Sequence, residues 1–134
     1  MKAHRFLEVG CGLGYTAALM ADAGGRGADV DTIESVPEHA DLAEAEFSRR
    51  GLADRIRVLR GEAREILPTL AGPYDVIFLD ASWREYPQFL PHLTRLIRAG
   101  GVLFTANLFP LFDVWARQMP HKQAVEEYLT LPRA

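Results

Sequence analysis

Apolar residues fall alternately into short runs and into longer stretches of mixed polarity. The short runs predict β-strands, and they lie at residues 5–9, 28–34, 56–60, 74–80 and 102–107. The longer stretches have helical spacing and typical helix ends, and they lie at residues 15–23, 38–50, 63–70, 85–98 and 121–129, with an irregular segment at 108–120. Strict alternation of strand and helix predicts a doubly wound α/β fold with a parallel sheet of about five strands.

A glycine-rich loop joins the first predicted strand to the first predicted helix. Its glycines are Gly10, Gly12 and Gly14, and Glu8 precedes them by two positions. Such a loop lets a ligand approach the backbone, and the following helix N-terminus favours an anionic group. The dinucleotide-binding pattern G-x-G-x-x-G needs its third glycine one residue later, where this chain has Tyr15. The spacing therefore disfavours a nicotinamide dinucleotide. A glycine-rich turn without a ligand is the simpler alternative.

Acidic residues follow the next three predicted strands. Glu34 ends the second strand, where an acidic side chain binds ribose hydroxyls in nucleotide-binding sheets. Glu62 and Ala63 follow the third strand, where they also fit the start of a helix. Asp80 ends the fourth strand, directly after an apolar run that predicts a buried strand. Placing a carboxylate at the end of such a strand costs free energy unless the carboxylate has a partner. Because ligands bind beyond the carboxyl ends of parallel strands, we expect these side chains in one site. Glu34 taken alone fits a solvated charge at a strand end.

Composition and charge exclude several classes of protein and several kinds of binding partner. The 134 residues suffice for one domain, here 1–134. A net charge of −3 gives no basic surface for nucleic acid. No apolar run reaches the length of a membrane span. The single cysteine, Cys11, excludes an internal disulfide framework, and we expect a cytoplasmic protein.

The pattern E-x-G-x-G-x-G resembles motif I of the class I S-adenosylmethionine-dependent methyltransferases, which have a Rossmann-like fold. With the other segments, the chain looks like the family 3 O-methyltransferases, the group of catechol and caffeoyl-CoA O-methyltransferases. The matching segments are LEVGCGLGYTAALMA (7–21), TIESVPE (32–38), GLADRIRVLRGEAREILP (51–68), YDVIFLDASWREY (74–86) and LIRAGGVLFTANLF (96–109).

The resemblance implies an S-adenosylmethionine site that extends along the sheet edge. Its methionine end would lie on the glycine loop and the start of the first helix, and its adenosine on the ends of the second and third strands. The implied residues, in that order, are Glu8, Gly10, Gly12, Gly14, Tyr15 and Thr16, then Glu34 and Ser35 for the nucleoside, Glu62 and Ala63 beside the adenine, and Asp80 facing the cofactor's amino group.

The chain departs from the family pattern where the chemistry takes place. The family's divalent metal site uses an aspartate matching Asp80 and an Asp-Asn pair, which here reads Ala106-Asn107. Since Mg²⁺ relies on anionic oxygen ligands, Asp80 and Asn107 alone predict weak metal binding or none. Trp83 occupies the position of the family's lysine base, so the catalytic base is unassigned. Glu85 and His92 have suitable chemistry, but the pattern places both on a solvated helix face.

These observations predict methyl transfer from S-adenosylmethionine to the hydroxyl group of a small molecule. The alternative is a binding module that keeps the cofactor site without transfer activity, as a sensor or as part of an assembly. The family's helices before the first strand and its final antiparallel strands have no counterpart in the sequence. An unfinished sheet would leave an open edge, which a homodimer would cover.

Overall fold

The computed structural model describes residues 2–106, which form one parallel sheet with helices on both faces. The predicted helix at 121–129, the segment 108–120 and Asn107 lie outside the described residues. The elements in chain order are β1 (Arg5–Val9), α1 (Tyr15–Gly24), β2 (Asp29–Glu34), α2 (Pro37–Arg49), β3 (Ile56–Arg60), α3 (Ala63–Ile66), a 3-10 turn (Leu67–Thr69), β4 (Tyr74–Leu79), a second 3-10 turn (Trp83–Glu85), α4 (Tyr86–Leu96) and β5 (Ile97–Thr105).

The strands lie in the order β3-β2-β1-β4-β5, and every neighbouring pair is parallel. The chain runs outward from β1 to β3 and then crosses back to β4 on the other side of β1. The connections therefore reverse direction between β1 and β4, and ligands of open α/β sheets bind at such a point. The predicted doubly wound α/β fold is confirmed.

Two apolar layers cover the sheet, one on each face. Alternation along β1 sends Phe6 to one layer and Leu7 to the other. The first layer contains small residues of α1 together with Phe47 of α2, and the second contains the buried face of α4. Among the described residues, none of the helices has the length and apolar composition that crossing a bilayer requires.

Local sequence explains where the helices begin and end. Pro37 is the first residue of α2, a position where its missing N–H costs no hydrogen bond. The predicted third helix at 63–70 is shorter in the structure, because Pro68 follows Leu67 and the chain continues as a 3-10 turn. The predicted fourth helix at 85–98 is also shorter, since α4 spans Tyr86–Leu96.

The fifth strand begins five residues before its predicted start at residue 102. Ile97 already pairs with Tyr74, and the register then shifts before Val102 pairs with Val76. The two glycines, which predicted the end of a helix, lie inside this irregularity. Gly100 has a φ of 74°, and a Cβ on Gly101 would lie 2.9 Å from the carbonyl oxygen of Asp75. The glycines thus allow a bulge and a close backbone approach within a strand.

Candidate functional site

A cleft of about 440 Å³ opens at the carboxyl ends of β1, β2 and β4, where the strand order reverses. It brings together most of the side chains that the sequence predicted for one site. Four carboxylates line it, and none of the described lining residues is lysine, arginine or histidine. The lining residues are Glu8, Gly10, Cys11, Gly12, Leu13, Tyr15, Thr16, Glu34, Ser35, Asp80, Ala81, Ser82 and Glu85.

The glycine loop forms the floor of the cleft. The backbone N–H groups of Gly10 and Cys11 both donate to the carbonyl oxygen of Ile33 at 3.0 Å. A Cβ on Gly10 would lie 2.0 Å from the carbonyl oxygen of Asp80, so only glycine lets the loop pass the end of β4. At Gly12 a Cβ would meet nothing within 4 Å. The backbone there faces open space that a ligand can fill.

Gly14 has a different role from the other two glycines of the loop. It has a φ of 88° and precedes α1, but it is not among the residues lining the cleft. A Cβ there would lie 2.6 Å from the ring of Phe47. Gly14 therefore allows α1 and α2 to pack closely. The predicted contact of Gly14 with a cofactor stays a prediction.

Glu34 connects the end of β2 to the glycine loop. Its side chain is buried, and its Oε2 accepts a hydrogen bond of 2.7 Å from the N–H of Gly12. Its Oε1 accepts a second bond of 2.9 Å from the N–H of Val36. Each carboxylate oxygen has a further lone pair. The two backbone bonds therefore fix the carboxylate while leaving it able to accept hydrogen bonds from ligand hydroxyl groups.

Glu8 is a buried carboxyl group beneath the cleft, with only 1% of its surface exposed. The hydroxyl of Thr32 donates to its Oε2 at 2.5 Å. Burial raises the pKa of Glu8 to about 8, against the lowering effect of the Thr32 hydrogen bond. The negative charges of Asp80 and Glu34 raise it further. A cationic ligand group in the cleft would offset part of this cost.

Cys11 lies in the glycine loop and is buried. Burial raises the pKa of its thiol to about 11, against the lowering effect of a hydrogen bond with Thr32. The charges of Glu8, Glu34 and Glu44 raise the pKa as well. Because the thiolate is the reactive form, Cys11 is an inert thiol at neutral pH.

Tyr15 and Thr16 begin α1 at the mouth of the cleft. Tyr15 is 74% exposed, whereas Thr16 is half-buried. The first-turn N–H groups of a helix have no partner within the helix. The start of α1 can therefore bind an anionic ligand group. The predicted contact of Tyr15 and Thr16 with a cofactor stays a prediction.

Glu62 and Ala63, predicted to lie beside an adenine ring, follow β3 and begin α3. Glu62 is exposed and Ala63 is half-buried, and neither lines the cleft. The carbonyl oxygen of Glu34 accepts a 3.0 Å bond from the N–H of Gly61, which holds this turn beside the end of β2. Their contact with a nucleoside stays a prediction.

Asp80 and Ala106 follow two neighbouring strands, β4 and β5. Asp80 is exposed at the cleft, and its N–H donates to the carbonyl oxygen of Val9 at 2.9 Å. Ala106 has only a methyl side chain and supplies no metal ligand from it. Within residues 2–106, no group of three His, Cys, Asp or Glu side chains could hold a metal ion. Asn107 lies outside this range. The described donors do not fit a divalent cation, and weak metal binding stays a prediction.

Tyr86 joins the ends of these two strands, a role that the sequence did not reveal. Its side chain is fully buried, and its hydroxyl accepts a 3.0 Å bond from the N–H of Ala81. The same hydroxyl lies 2.9 Å from the carbonyl oxygen of Ala81 and 3.1 Å from that of Ala106, to which it can donate. The only signal in the sequence was a tyrosine on the apolar face of a predicted helix. That pattern equally describes an ordinary core residue.

Glu85 corrects an expectation about the base candidates. Both Glu85 and His92 were expected on a solvated helix face, but Glu85 is half-buried and lines the cleft. It ends the 3-10 turn that follows Asp80, and its N–H donates to the carbonyl oxygen of Ser82 at 2.9 Å. His92 is also half-buried, on α4, but it does not line the cleft. Trp83 is half-buried against the apolar layer beneath α4.

A larger hollow, of about 720 Å³, lies near the amino ends of β2 and β3. Two of its charged groups, Arg57 and Asp31, bind each other. Arg57 donates two hydrogen bonds to Asp31, at 2.9 and 3.1 Å, and the hydroxyl of Tyr74 donates a third at 2.6 Å. Arg5 stacks over the ring of Tyr74 at 4.8 Å. The network stabilises this end of the sheet, which is opposite to the ligand-binding end.

The chain is similar in sequence to a known protein family and to its characterised members. The O-methyltransferase family matches residues 1–131. The chain is 37% identical, over 109 residues, to the catechol O-methyltransferase of Mycobacterium tuberculosis. This match covers 81% of the chain and 50% of the relative. The chain spans about half the length of the curated relatives that it matches.

Solved structures of O-methyltransferases share the fold of this chain. The O-methyltransferase TomG of Streptomyces achromogenes, solved in complex with S-adenosylmethionine, has a TM-score of 0.87 and 28% identity. The O-methyltransferase of Bacillus cereus, solved with S-adenosylhomocysteine, has a TM-score of 0.86 and 28% identity. The matches cover 96% of this chain, and 60% and 61% of the two solved chains.

Proposed function

The chain belongs to the S-adenosylmethionine-dependent family 3 O-methyltransferases, and from this premise we propose that its cleft binds S-adenosylmethionine for transfer of the methyl group to a small-molecule hydroxyl. The observation that carries the proposal is the contact between Glu34 and Gly12. This contact places an acidic side chain, which can accept hydrogen bonds from ribose hydroxyls, directly against the glycine loop. The loop lies at the point where the strand order reverses.

The charge of the cleft supports this cofactor over a dinucleotide. S-adenosylmethionine carries a sulfonium and an ammonium group, both cationic. The described lining contains four carboxylates and neither lysine nor arginine. A pyrophosphate would be repelled by these carboxylates. The same charges favour a sulfonium nucleoside.

The proposed placement of the cofactor follows the cleft from β2 to β4. Glu34 accepts hydrogen bonds from the ribose hydroxyls, and Ser35 lies beside the adenosine. The methionine carboxylate lies at the start of α1, near Tyr15 and Thr16. Asp80 faces the ammonium group from the end of β4. Glu8 places a buried carboxyl group beneath the methionine end, whose ionised form a cationic cofactor group would favour. Gly10 and Gly12 give the cofactor access to the backbone.

Methyl transfer needs little covalent chemistry from the protein. The hydroxyl oxygen of the acceptor attacks the methyl carbon in line with the sulfur, and the bond from sulfur to carbon breaks. The electron pair returns to sulfur, which yields S-adenosylhomocysteine, and the acceptor loses its proton. Holding two reactants in this alignment supplies much of the rate enhancement. No step through a metal ion is proposed, because the described donors do not fit one.

Calorimetric titration and a methyl-release assay test the proposal. We expect S-adenosylmethionine and S-adenosylhomocysteine to bind to the chain and NAD not to bind. We also expect methyl release with at least one member of a panel of phenols and catechols, at equal rates with Mg²⁺ and with EDTA. Failure to bind S-adenosylmethionine would overturn the proposal. Binding without methyl release would instead identify a cofactor-binding module without transfer activity.

A further inference from the structure

A proton acceptor for methyl transfer has to come from the titratable groups that line the cleft. The described lining offers four carboxylates, one thiol and one tyrosine: Glu8, Glu34, Asp80, Glu85, Cys11 and Tyr15. An acceptor hydroxyl becomes a better nucleophile when a positioned base takes its proton in the transition state. The structure already engages three of these six groups in other ways.

Three of the six groups are tied to the floor of the cleft. Both oxygens of Glu34 accept backbone N–H bonds. Glu8 is buried beneath the loop against Thr32. Cys11 is buried and remains a thiol at neutral pH. Glu8 and Cys11 are too deeply buried to reach an acceptor that enters from solvent, and the remaining hydrogen-bonding capacity of Glu34 is proposed for the ribose.

The remaining carboxylates, Asp80 and Glu85, lie on the β4 side of the cleft. The cofactor's adenosine is proposed at Glu34 on the β2 side, so its sulfonium lies toward β4. Asp80 directly follows the strand and is proposed to face the cofactor's ammonium group. Glu85 lies one 3-10 turn further along the chain, on the same side.

Buried contacts hold Glu85 in this position. Its N–H donates to the carbonyl oxygen of Ser82, which closes the turn. The next residue, Tyr86, is fully buried and is bonded to Ala81 and to Ala106. A base on an anchored turn keeps its carboxylate near one place, as proton transfer in a transition state requires.

From this arrangement we infer that Glu85 is the general base of the methyl transfer. Its carboxylate takes the proton of the acceptor hydroxyl as the oxygen attacks the methyl carbon and the bond from carbon to sulfur breaks. Glu85 ends as a carboxylic acid and later releases the proton to solvent. The inference rests on the proposed function, because it needs both the cofactor and an acceptor in the cleft.

The test compares acceptors that do and do not need a base. The variants are Glu85→Gln and Glu85→Asp, with Glu65→Gln as the matched control, since Glu65 is exposed on α3 and does not line the cleft. One acceptor is a phenol that the wild-type chain methylates and that is protonated at the assay pH. The other is its nitro-substituted analogue, which is ionised at that pH. Affinity for S-adenosylmethionine is measured in parallel.

We expect Glu85→Gln to lower kcat for the protonated phenol by about 100-fold or more. For the ionised analogue we expect a loss of about threefold or less, because that acceptor has no proton to transfer. Glu85→Asp should retain part of the activity. Any loss of affinity for S-adenosylmethionine in Glu85→Gln should be much smaller than its loss of kcat with the protonated phenol, and Glu65→Gln should bind the cofactor as the wild-type chain does.

Two results would overturn the inference while leaving the proposed function intact. One is nearly wild-type kcat of Glu85→Gln with the protonated phenol. The other is an equal loss with both acceptors, which would indicate a purely structural role. If the wild-type chain binds S-adenosylmethionine but methylates no acceptor, the proposal of methyl transfer fails, and the inference about Glu85 fails with it.

Discussion

Glu34 and Gly12 are 22 positions apart in the chain, and the Glu34 Oε2 accepts a 2.7 Å hydrogen bond from the Gly12 N–H. The contact fixes the carboxylate that is proposed to hold the ribose and the loop that is proposed to hold the methionine end. One interaction therefore positions both halves of the candidate cofactor site before any ligand arrives. Such preorganisation reduces the ordering cost of binding.

Replacement of Glu34 should weaken cofactor binding. We expect Glu34→Ala to lower the affinity for S-adenosylmethionine by about 10- to 100-fold, since hydrogen bonds to a charged group contribute about 1.5–3 kcal/mol. Glu34→Gln should fall between wild type and Glu34→Ala. Calorimetric titration measures the effect, with Glu38→Ala on the exposed side of α2 as the control. Unchanged affinity of Glu34→Ala would contradict the ribose assignment.

Gly10 and Gly12 should respond differently to the same substitution. Gly10→Ala forces a Cβ to within 2.0 Å of a backbone carbonyl at a φ of 99°, so we expect a loss of about 3 kcal/mol or more in the free energy of unfolding. Gly12→Ala has open space and a φ of 55°, so it should lose only about 1–2 kcal/mol. Urea denaturation of both variants is the measurement. Equal losses would contradict the close approach of Gly10 to the end of β4.

The buried carboxyl group of Glu8 should make stability depend on pH. Its pKa rises from an ordinary 4.5 to about 8 on folding, so between these values the folded chain holds a proton that the unfolded chain releases. The contribution of Glu8 is therefore fully present below pH 4.5 and is lost as the pH rises towards 8, by up to about 1.4 kcal/mol for each pH unit.

Denaturation of wild type and Glu8→Gln at several pH values tests this linkage. The amide cannot ionise, so we expect the variant to gain stability relative to wild type as the pH rises from 5 to 8 within the predicted window. The exposed Glu65→Gln should follow the wild-type profile. A constant difference between Glu8→Gln and wild type across this range would show that Glu8 ionises at its ordinary pKa.

The hydroxyl of Tyr86 should contribute measurably to stability. Tyr86→Phe leaves the N–H of Ala81 without this acceptor and removes the link to Ala106, so we expect a loss of about 1–3 kcal/mol. Tyr15→Phe removes the hydroxyl of a side chain that is 74% exposed, so its effect on stability should stay within about 0.5 kcal/mol. Denaturant titration compares the two. Similar effects would mean that the buried hydroxyl contributes no more than a solvated one.

The sequence alone determined the fold class and most of the lining of the cleft. Strand and helix periodicity is local, and glycine spacing together with acidic residues at strand ends are features of short segments. Because parallel strands bring their carboxyl ends to one edge, these local features placed Glu8, Glu34 and Asp80 in one region before any contact was known.

Only the tertiary structure decided the roles that depend on partners distant in the chain. Gly14 lies against Phe47 rather than lining the cleft. Glu8 is buried beneath the cleft, where the hydroxyl of Thr32 on the neighbouring strand donates to it. In the sequence alone, the glycine pair at 100–101 predicts the end of a helix. In the structure, the pairing of β5 with β4 places this pair in a bulge. Glu85 fits a solvated helix face by periodicity, but the 3-10 turn ahead of Tyr86 brings it to the cleft. Packing between separate elements determines how deeply each side chain is buried and which way it points, and no local sequence pattern encodes that packing.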